Sequence, residues 1–366
     1  MSYFSWLPQE LIDYILDFLI NDARSLKASS LVCRSFLYRT RVHLFWRFRI
    51  TGTRSFSELH EMFRKSPQIP HQIRQLTLHN VTGDRVRDSE HLSPVISSFS
   101  CLQTIIFFNI KWTLLPQASR DALSSHAFQT ISLHTDMTTS DLRSLVSSSH
   151  DSLHRLELYK TQVTGSFRRS VGSSPRIRIL SLYYVPLCYE LFSQTLPSFL
   201  SLGHLHTPHV LLPDLSSARC LQKVLREQFC SLQHLGVTRP PKFSDLERLN
   251  SSHCLPISGL LSLIVEMWDF HDRPIDQHLQ WWIENIRQCS VIERVTFRLP
   301  LYDYLSDYSA WKILDSYLSE GGSNPCLKDV VIDLGANWSM SPVVEPAKLA
   351  MESQFTDKRV RVVVTD

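Results

Sequence analysis

The feature that most constrains this chain is an apolar pattern that recurs along most of its length. A full copy has an apolar residue, two variable residues, a second apolar residue, one variable residue and a third apolar residue; the weaker copy at Leu202 has only the first two apolar residues. Successive copies start 24 to 35 residues apart. The copies start at Phe45, Ile73, Leu102, Phe128, Leu153, Ile177, Leu202, Leu232, Leu260, Ile292 and Leu327. Self-similarity at such an interval indicates a repeat architecture.

Each copy ends in an alternating segment, and its second and third apolar side chains point to the same side of a β-strand. The residues between copies have room for one helix and two turns. Such a unit cannot bury its apolar face alone, so neighbouring units must stack and align their strands in a parallel sheet. The sequence therefore predicts an α/β solenoid over residues 51–366. An unrelated α/β domain is the alternative, but it would not repeat one internal spacing so often.

This pattern resembles leucine-rich repeats. The resemblance implies an irregular horseshoe, because Val81, Ile110 and Thr161 stand where regular repeats place an asparagine that bonds to the turn backbone. It also implies that the variable residues beside the strand leucines line the concave face, on which such proteins bind their partners.

Aromatic and arginine side chains occupy this predicted binding face. We predict that Phe108, Tyr159 and Tyr183 form the centre of an interface with a target protein, and that Arg294 and Arg298 contribute to it, since aromatic residues and arginine dominate binding energy at interfaces. The same positions are also compatible with ordinary solvated side chains. Other members of the predicted face are Thr77, His79, His134, Glu157 and Ser181.

The first fifty residues have a different pattern, which predicts three short helices. Pro8 suits the start of a helix. Asp22 can cap a second helix that runs through Leu31, and a third is predicted from about Val32 to Arg41. Apolar residues cover more of the first helix than one core interface requires. The excess predicts docking onto another chain or packing onto the rest of this one.

The same segment resembles an F-box through four motifs. These are Leu7-Pro8-x-Glu10-Leu11, Ile15-Leu16-x-x-Leu19, Ser30-Leu31-Val32-Cys33-Arg34-x-Phe36 and Leu44-Phe45-Trp46-Arg47. The resemblance covers residues 5–50 and implies an F-box domain, taken as residues 1–50, that binds the SKP-type adaptor of a cullin-RING ubiquitin ligase. The adaptor contacts implied by position are Leu7, Pro8, Leu11, Ile15, Leu31, Val32, Cys33 and Phe36. Phe36 stands where many family members have tryptophan and keeps an apolar anchor.

Composition argues against most nucleotide-binding enzymes. Only 10 of the 366 residues are glycine, and the phosphate-binding patterns G-x-G-x-x-G and G-x-x-x-x-G-K-[ST] do not occur. The eight cysteines include no C-x-x-C pair, which predicts reduced thiols rather than a zinc site or disulfides. We therefore expect a protein that is not an enzyme and that has no metal site and no cofactor.

Charge also restricts the partners. The 38 Lys and Arg residues nearly balance the 35 Asp and Glu residues, so we expect neither a nucleic acid nor a membrane as partner. Glu10, Asp13 and Asp17 interrupt the apolar N-terminus and no basic segment precedes it, unlike a signal peptide. This pattern predicts a cytoplasmic or nuclear protein.

Three clusters are weaker candidates. His204, His206 and His209 alternate as metal ligands can, but Pro208 interrupts the run and no acidic or cysteine partner is evident. An aromatic and acidic stretch could border a pocket, although helix packing explains it equally well. Its members are Trp268, Asp269, His271, Asp272, Trp281 and Trp282. An arginine cluster that could touch phosphates contains Arg168, Arg169, Arg176 and Arg178.

Together these features predict a substrate-recruiting F-box subunit of an SCF-type ubiquitin ligase. It would bind the adaptor through residues 5–50 and an unknown target protein through the repeats. Its mechanism would be proximity, because it holds the target beside a ubiquitin-charged enzyme. The alternative is a non-ligase repeat scaffold or protein-interaction module whose F-box-like bundle is only an N-terminal cap.

Overall fold

The structure, a computed structural model, divides into two units that are described separately. Unit 1 contains residues 1–153 and 160–166, and unit 2 contains residues 154–159 and 167–366. The described residues are 7–52, 55–81, 89–161, 163–164, 175–183, 200–212, 214–228, 232–238, 254–267, 275–300, 309–319, 324–335 and 344–365. The predicted F-box segment lies in unit 1 together with the first strands, and its status as a domain of residues 1–50 stays a prediction.

Unit 1 begins with a bundle of three helices. They are α1 (Gln9–Asp17), α2 (Ala23–Ser29) and α3 (Arg34–Phe45). The predicted cap of α2 is confirmed, because the Asp22 carboxylate accepts hydrogen bonds from the backbone amides of Arg24 and Ser25, each at 3.0 Å. The helix ends at Ser29 rather than Leu31. Cys33 takes an extended conformation before α3, so α3 starts two residues later than predicted and continues to Phe45.

A charged cluster joins α1 to α3. The Asp17 carboxylate accepts hydrogen bonds from Nε and Nη2 of Arg39 at 2.6 and 2.7 Å, and its Oδ1 lies 2.7 Å from Nε2 of His43. The hydrogen bonds from Arg39 are the main reason that the pKa of Asp17 lies below its usual value of 3.8, and His43 adds to the effect. This cluster complements the small apolar core formed by Ile12, Leu16 and Leu26.

We expect Asp17→Asn to destabilise the bundle by about 1 kcal/mol, because the ion pair with Arg39 is partly exposed to solvent. The folded-state pKa lies below the unfolded one, so the contribution is complete above pH 3.8 and is lost as the pH falls through the folded-state value. Thermal denaturation from pH 7 to about pH 2.5 should therefore show the two proteins converging at low pH. The control Asp13→Asn removes a carboxylate that is hydrogen-bonded to the exposed Gln9 amide and interacts with Arg39 only through its charge. A constant difference at every pH would contradict this assignment.

Each unit contains an open, fully parallel sheet. In unit 1 the strand order is β1-β2-β3-β4. These strands are β1 (Arg47–Thr51), β2 (Gln75–His79), β3 (Thr104–Phe108) and β4 (Thr130–His134). The helices of unit 1 after the bundle are α4 (Phe56–Lys65), α5 (Leu92–Ser97), α6 (Gln117–Ser124) and α7 (Thr139–Ser147), and they contact one another in chain order. Two short strands, β5 (Met137–Thr138) and β7 (Val163–Thr164), form a separate parallel pair.

In unit 2 the strand order is β6-β8-β9-β10-β11-β12-β13-β14. These strands are β6 (Arg155–Tyr159), β8 (Ile179–Tyr183), β9 (Thr207–Leu211), β10 (His234–Thr238), β11 (Ser262–Glu266), β12 (Arg294–Pro300), β13 (Asp329–Gly335) and β14 (Val360–Thr365). The described helices of unit 2 are α8 (Leu215–Gln228), α9 (Ile275–Arg287), α10 (Lys312–Ser319) and α11 (Val344–Glu352).

The apolar pattern correctly predicts an α/β fold with parallel strands. Equivalent positions of successive copies pair across the sheets, as Leu235 with Leu263 and Leu263 with Val295 show. These side chains are buried, and the variable positions between them face the other side of the sheet. Thr161, which replaces the asparagine of regular repeats, donates a hydrogen bond from Oγ1 to the carbonyl of Leu133 at 2.8 Å.

Two details of the predicted pattern are wrong. Leu202 lies in a short 3₁₀ turn, and the strand that follows aligns Leu180 with Pro208 and Leu182 with Val210. The true apolar triplet is therefore three residues later than predicted, because a proline occupies its central position. The strand β14 was also not predicted, since Asp357 stands where the other copies begin with an apolar residue.

Candidate functional site

The bundle leaves much of its apolar surface exposed to solvent. We call Leu7, Pro8, Leu11, Ile15, Leu31 and Val32 the bundle surface; all six are exposed. Leu31 is the extreme case, with 87% of its surface accessible. Cys33 and Phe36, the other two predicted adaptor contacts, are half-buried. The prediction that the first helix, α1, carries more apolar surface than its own core needs is therefore confirmed.

Helix α1 explains how the bundle can fold and still expose leucines. Ile12 and Leu16 are one turn apart and form its buried stripe, whereas Leu11 and Ile15 form the adjacent stripe that faces solvent. The sequence reasoning did not select three further exposed side chains of this region, Tyr14, Phe18 and Ile20. Because large exposed apolar areas often mark interaction sites, the bundle surface is a candidate site for a partner.

The outward face of the sheet in unit 1 carries a stack of three rings. His79 and Phe108 lie 4.8 Å apart between ring centroids and are nearly parallel, and Phe108 lies 5.2 Å from His134. Adjacent strands place these residues side by side in register. Phe108, one of the predicted target contacts, is 42% exposed. It therefore offers an accessible ring supported by an imidazole on either side.

A cavity of about 460 Å³ lies beside this stack, at the carboxyl ends of β3 and β4. Among its lining residues are Asn109, Lys111, Trp112, His134, Asp136 and Lys160. The carboxyl ends of parallel strands are the usual place for ligands in open α/β sheets. Because lysines and aspartates both line the cavity, its walls select neither a cation nor an anion.

In unit 2 the structure brings together the predicted contacts Tyr159 and Tyr183. They occupy equivalent positions on β6 and β8, with their ring centroids 6.1 Å apart. Beside them, Oε1 of Glu157 accepts a hydrogen bond from Nε of Arg155 at 2.7 Å and lies 2.6 Å from its Nη2 in an ion pair. Burial is the main reason that the pKa of Tyr183 is raised, and the Glu266 carboxylate adds to it. A tyrosine pair and a carboxylate therefore share one part of this sheet face.

The predicted contact Arg298 belongs to a polar ladder, defined as Thr238, Glu266, Arg298, Asp333 and Thr365. Thr238 donates to Glu266 at 2.9 Å, Arg298 donates to Glu266 and Asp333 at 3.0 and 3.2 Å, and Thr365 donates to Asp333 at 2.6 Å. Sequence reasoning did not select Glu266 and Asp333. Both directly follow the third apolar residue of their copies, as Tyr159 and Tyr183 do, so the same positional rule identifies them.

The other predicted arginine, Arg294, is held by an acidic neighbour as well. Its Nε donates to Asp329 at 3.0 Å, and Asp329 also accepts two hydrogen bonds from Arg361 at 2.9 and 2.7 Å. The hydrogen bond from Arg361 is the main reason that the pKa of Asp329 is lowered. Both predicted arginines are thus oriented by partners on neighbouring strands, while about half of each side chain is exposed.

His209 is a half-buried group on this face. Its imidazole lies over Gly236, where an added Cβ atom would collide with the ring, so only glycine allows this position. Burial lowers the pKa of His209 and favours the neutral imidazole. His204 lies in the 3₁₀ turn, and among the described residues no group of three His, Cys, Asp or Glu side chains is arranged to hold a metal ion.

The remaining residues that the sequence singled out are either buried, outside the described residues, or free thiols. Trp281 and Trp282 are buried in α9, which supports the packing interpretation of that stretch. Trp268, Asp269, His271, Asp272, Arg168 and Arg169 lie outside the described residues. Cys33, Cys101, Cys254, Cys289 and Cys326 are free thiols.

Comparisons with known proteins give little similarity. No protein-family model matches the chain, and neither does any curated protein. Among solved structures, the chain is similar to a protein from Bacteroides fragilis whose crystal structure was a structural genomics target. That similarity has a TM-score of 0.35 and 10% sequence identity, and it covers 69% of each chain. No helix in the described part of the chain has the length and apolar character needed to cross a bilayer.

Proposed function

We propose that this protein is a non-enzymatic, substrate-recruiting subunit of a cullin-RING ubiquitin ligase. The observation that carries the proposal is the exposure of the bundle surface, since six of the eight residues that the F-box resemblance assigns to the adaptor are exposed. The F-box resemblance assigns these residues to the SKP-type adaptor. In this role the protein works in the cytoplasm or the nucleus, without a metal or cofactor of its own.

The division between buried and exposed apolar residues supports this assignment. Ile12, Leu16 and Leu26 are at most 4% exposed and hold the helices together. Leu11 and Leu31 are 49% and 87% exposed, so they can enter a partner without unfolding the bundle. Burying several leucines supplies the apolar centre of an interface, at about 25 cal/mol for each Å² removed from water.

The second half of the proposal concerns the repeats, which we assign to an irregular leucine-rich-repeat-like horseshoe that binds a target protein. The outward sheet faces support this role, because they present Phe108 and the Tyr159–Tyr183 pair together with oriented arginines. Catalysis by this chain is unnecessary, since tethering raises the effective concentration of a target lysine beside the ubiquitin-charged enzyme.

One observation favours the alternative, a repeat scaffold whose bundle is only a cap. Helix α3 leads directly into β1, and the carbonyl of Trp46 between them accepts hydrogen bonds from the backbone amides of Arg74 and Gln75 at 3.1 and 3.0 Å. The bundle is thus tied to the first repeat, as a cap would be. A terminal cap, however, keeps a repeat protein soluble by presenting a polar outer face, and exposed leucines there do the opposite.

Co-expression with an SKP-type adaptor separates the two functions. We expect the adaptor and this chain to co-purify as a stable complex in size-exclusion chromatography, and the exposed leucines to make the chain aggregate when expressed alone. A full-length protein that is monodisperse alone and elutes separately from the adaptor would contradict the proposal and favour the scaffold.

A further inference from the structure

We infer that the outward face of unit 2 carries a binding site for an arginine side chain of the target protein, formed by Tyr159, Tyr183 and Glu157. The inference deepens the proposed function, on which it rests for the identity of this face as the target-binding side. The site is distinct from the bundle surface, so the two can be tested separately.

The tyrosine pair supplies the stacking surface. Tyr159 and Tyr183 are half-buried, with their ring centroids 6.1 Å apart and their ring planes inclined by 45°. The parallel register of β6 and β8 fixes this arrangement. A guanidinium group is planar and weakly hydrated, so it stacks on such rings more readily than the compact ammonium of lysine.

Glu157 supplies the negative charge. It lies on the same face, two residues before Tyr159 and opposite Ser181 of the next strand. The hydrogen bond from Nε of Arg155 and the ion-pair contact from its Nη2 both fall on Oε1, and Oε2 accepts no hydrogen bond from a described residue. An incoming guanidinium can therefore donate to Oε2 without displacing Arg155.

The surroundings also favour a cation. The negative charges of Glu266 and Glu157 both raise the pKa of Tyr183 and outweigh Arg155, which acts in the opposite direction. Arg298, the next cation along the face, is held by Glu266 and Asp333. Burial lowers the pKa of His209 and so disfavours a positive charge there. An anionic group of a target would meet Glu157 and Glu266 here, which makes a phosphate or carboxylate a poor occupant.

The test uses the full-length protein and a fluorescein-labelled peptide of alternating glycine and arginine. The comparison peptide has citrulline in place of arginine, which preserves the planar shape and removes the charge. We expect fluorescence anisotropy to show the arginine peptide binding at least about tenfold more tightly than the citrulline peptide. Tyr183→Leu should weaken binding of the arginine peptide about fivefold, and Glu157→Gln about tenfold.

Asp329→Asn is the matched control for Glu157→Gln. It also removes one carboxylate charge and releases arginines on the same sheet face, but it lies on β13, away from the tyrosines. It should change the affinity by less than about twofold. Equal binding of the two peptides, or equal losses for Asp329→Asn and Glu157→Gln, would overturn the inference. If the protein binds the arginine peptide but does not bind the adaptor, the ligase proposal is contradicted and the arginine site is not.

Discussion

Replacing Leu11 and Leu31 with aspartate should abolish co-purification with an SKP-type adaptor while leaving the protein folded. Both side chains belong to the bundle surface, with 49% and 87% of their area exposed. Neither contributes to the core formed by Ile12, Leu16 and Leu26. A carboxylate at either position would have to lose its water in the complex and find no partner, which costs several kcal/mol.

The expected size of this effect follows from the behaviour of buried anchors at interfaces. Such residues cost at least about 2 kcal/mol each when truncated, and a charge costs more than a truncation. Each single variant should therefore weaken adaptor binding at least about thirtyfold, and the double variant should bind no adaptor at micromolar concentration. Biolayer interferometry with immobilised adaptor measures both effects.

The matched control is Leu349→Asp. Leu349 lies on α11 in unit 2 and is 62% exposed. The substitution therefore introduces the same charge at a similarly exposed leucine outside the bundle. Adaptor affinity should be unchanged, and all variants should keep the wild-type circular dichroism spectrum. A double variant that still binds with wild-type affinity would exclude the bundle surface as the adaptor contact.

The sequence predicts the repeated strands because burial imposes a strict local rule. Every second side chain of each strand points inward, so the apolar spacing marks the strand and its register wherever the inward residues are apolar. The rule fails at Pro208, which occupies an inward position without being a typical strand residue. It fails again before β14, because Asp357 bonds to Arg359 instead of contributing an apolar side chain.

The candidate sites are less predictable, because their chemistry depends on neighbours far apart in sequence. The sequence places Arg294 and Arg298 on the outward face, but not the hydrogen bonds to Asp329 and Asp333, each 35 residues further on. Those bonds require the alignment of β12 with β13, which is set by the turns and helices between them. Leu31 is a further case, because the sequence predicts it inside the second helix, whereas the helix ends at Ser29 and leaves Leu31 exposed in the turn that follows.

Asn285→Ala should destabilise unit 2 by about 3 kcal/mol, the largest stability loss we expect from one polar side chain. Asn285 lies on α9 and is fully buried. Its Oδ1 accepts a hydrogen bond from the backbone amide of Leu255 at 2.6 Å, and its Nδ2 donates to the carbonyl of Trp281 at 2.8 Å. Alanine leaves the Leu255 amide buried without a partner, and a buried orphan donor costs more than the bond contributes.

Buried side-chain amides make similar hydrogen bonds in the neighbouring repeats. Losing the one from Asn285 should therefore destabilise residues beyond α9. Nε2 of Gln222 donates to the carbonyl of Cys254 at 2.9 Å, and the Asn324 amide donates to the carbonyl of Cys289. Each buried amide joins a segment about one repeat away. In repeat proteins stability is largely a sum of such nearest-neighbour contacts, so one broken contact should loosen the adjoining segment first.

Hydrogen exchange in the segment 254–267 measures this local effect directly. A loss of about 3 kcal/mol corresponds to exchange roughly a hundredfold faster wherever protection comes from opening of this contact. Gln280→Ala is the matched control, since Gln280 carries the same amide on the same helix but is exposed, and its only hydrogen bond to a described residue is the one to Glu284 at 3.3 Å. It should cost less than about 0.5 kcal/mol. Equal losses in the two variants would mean that helix α9 itself, and not the bond from Asn285 to Leu255, holds the two repeats together.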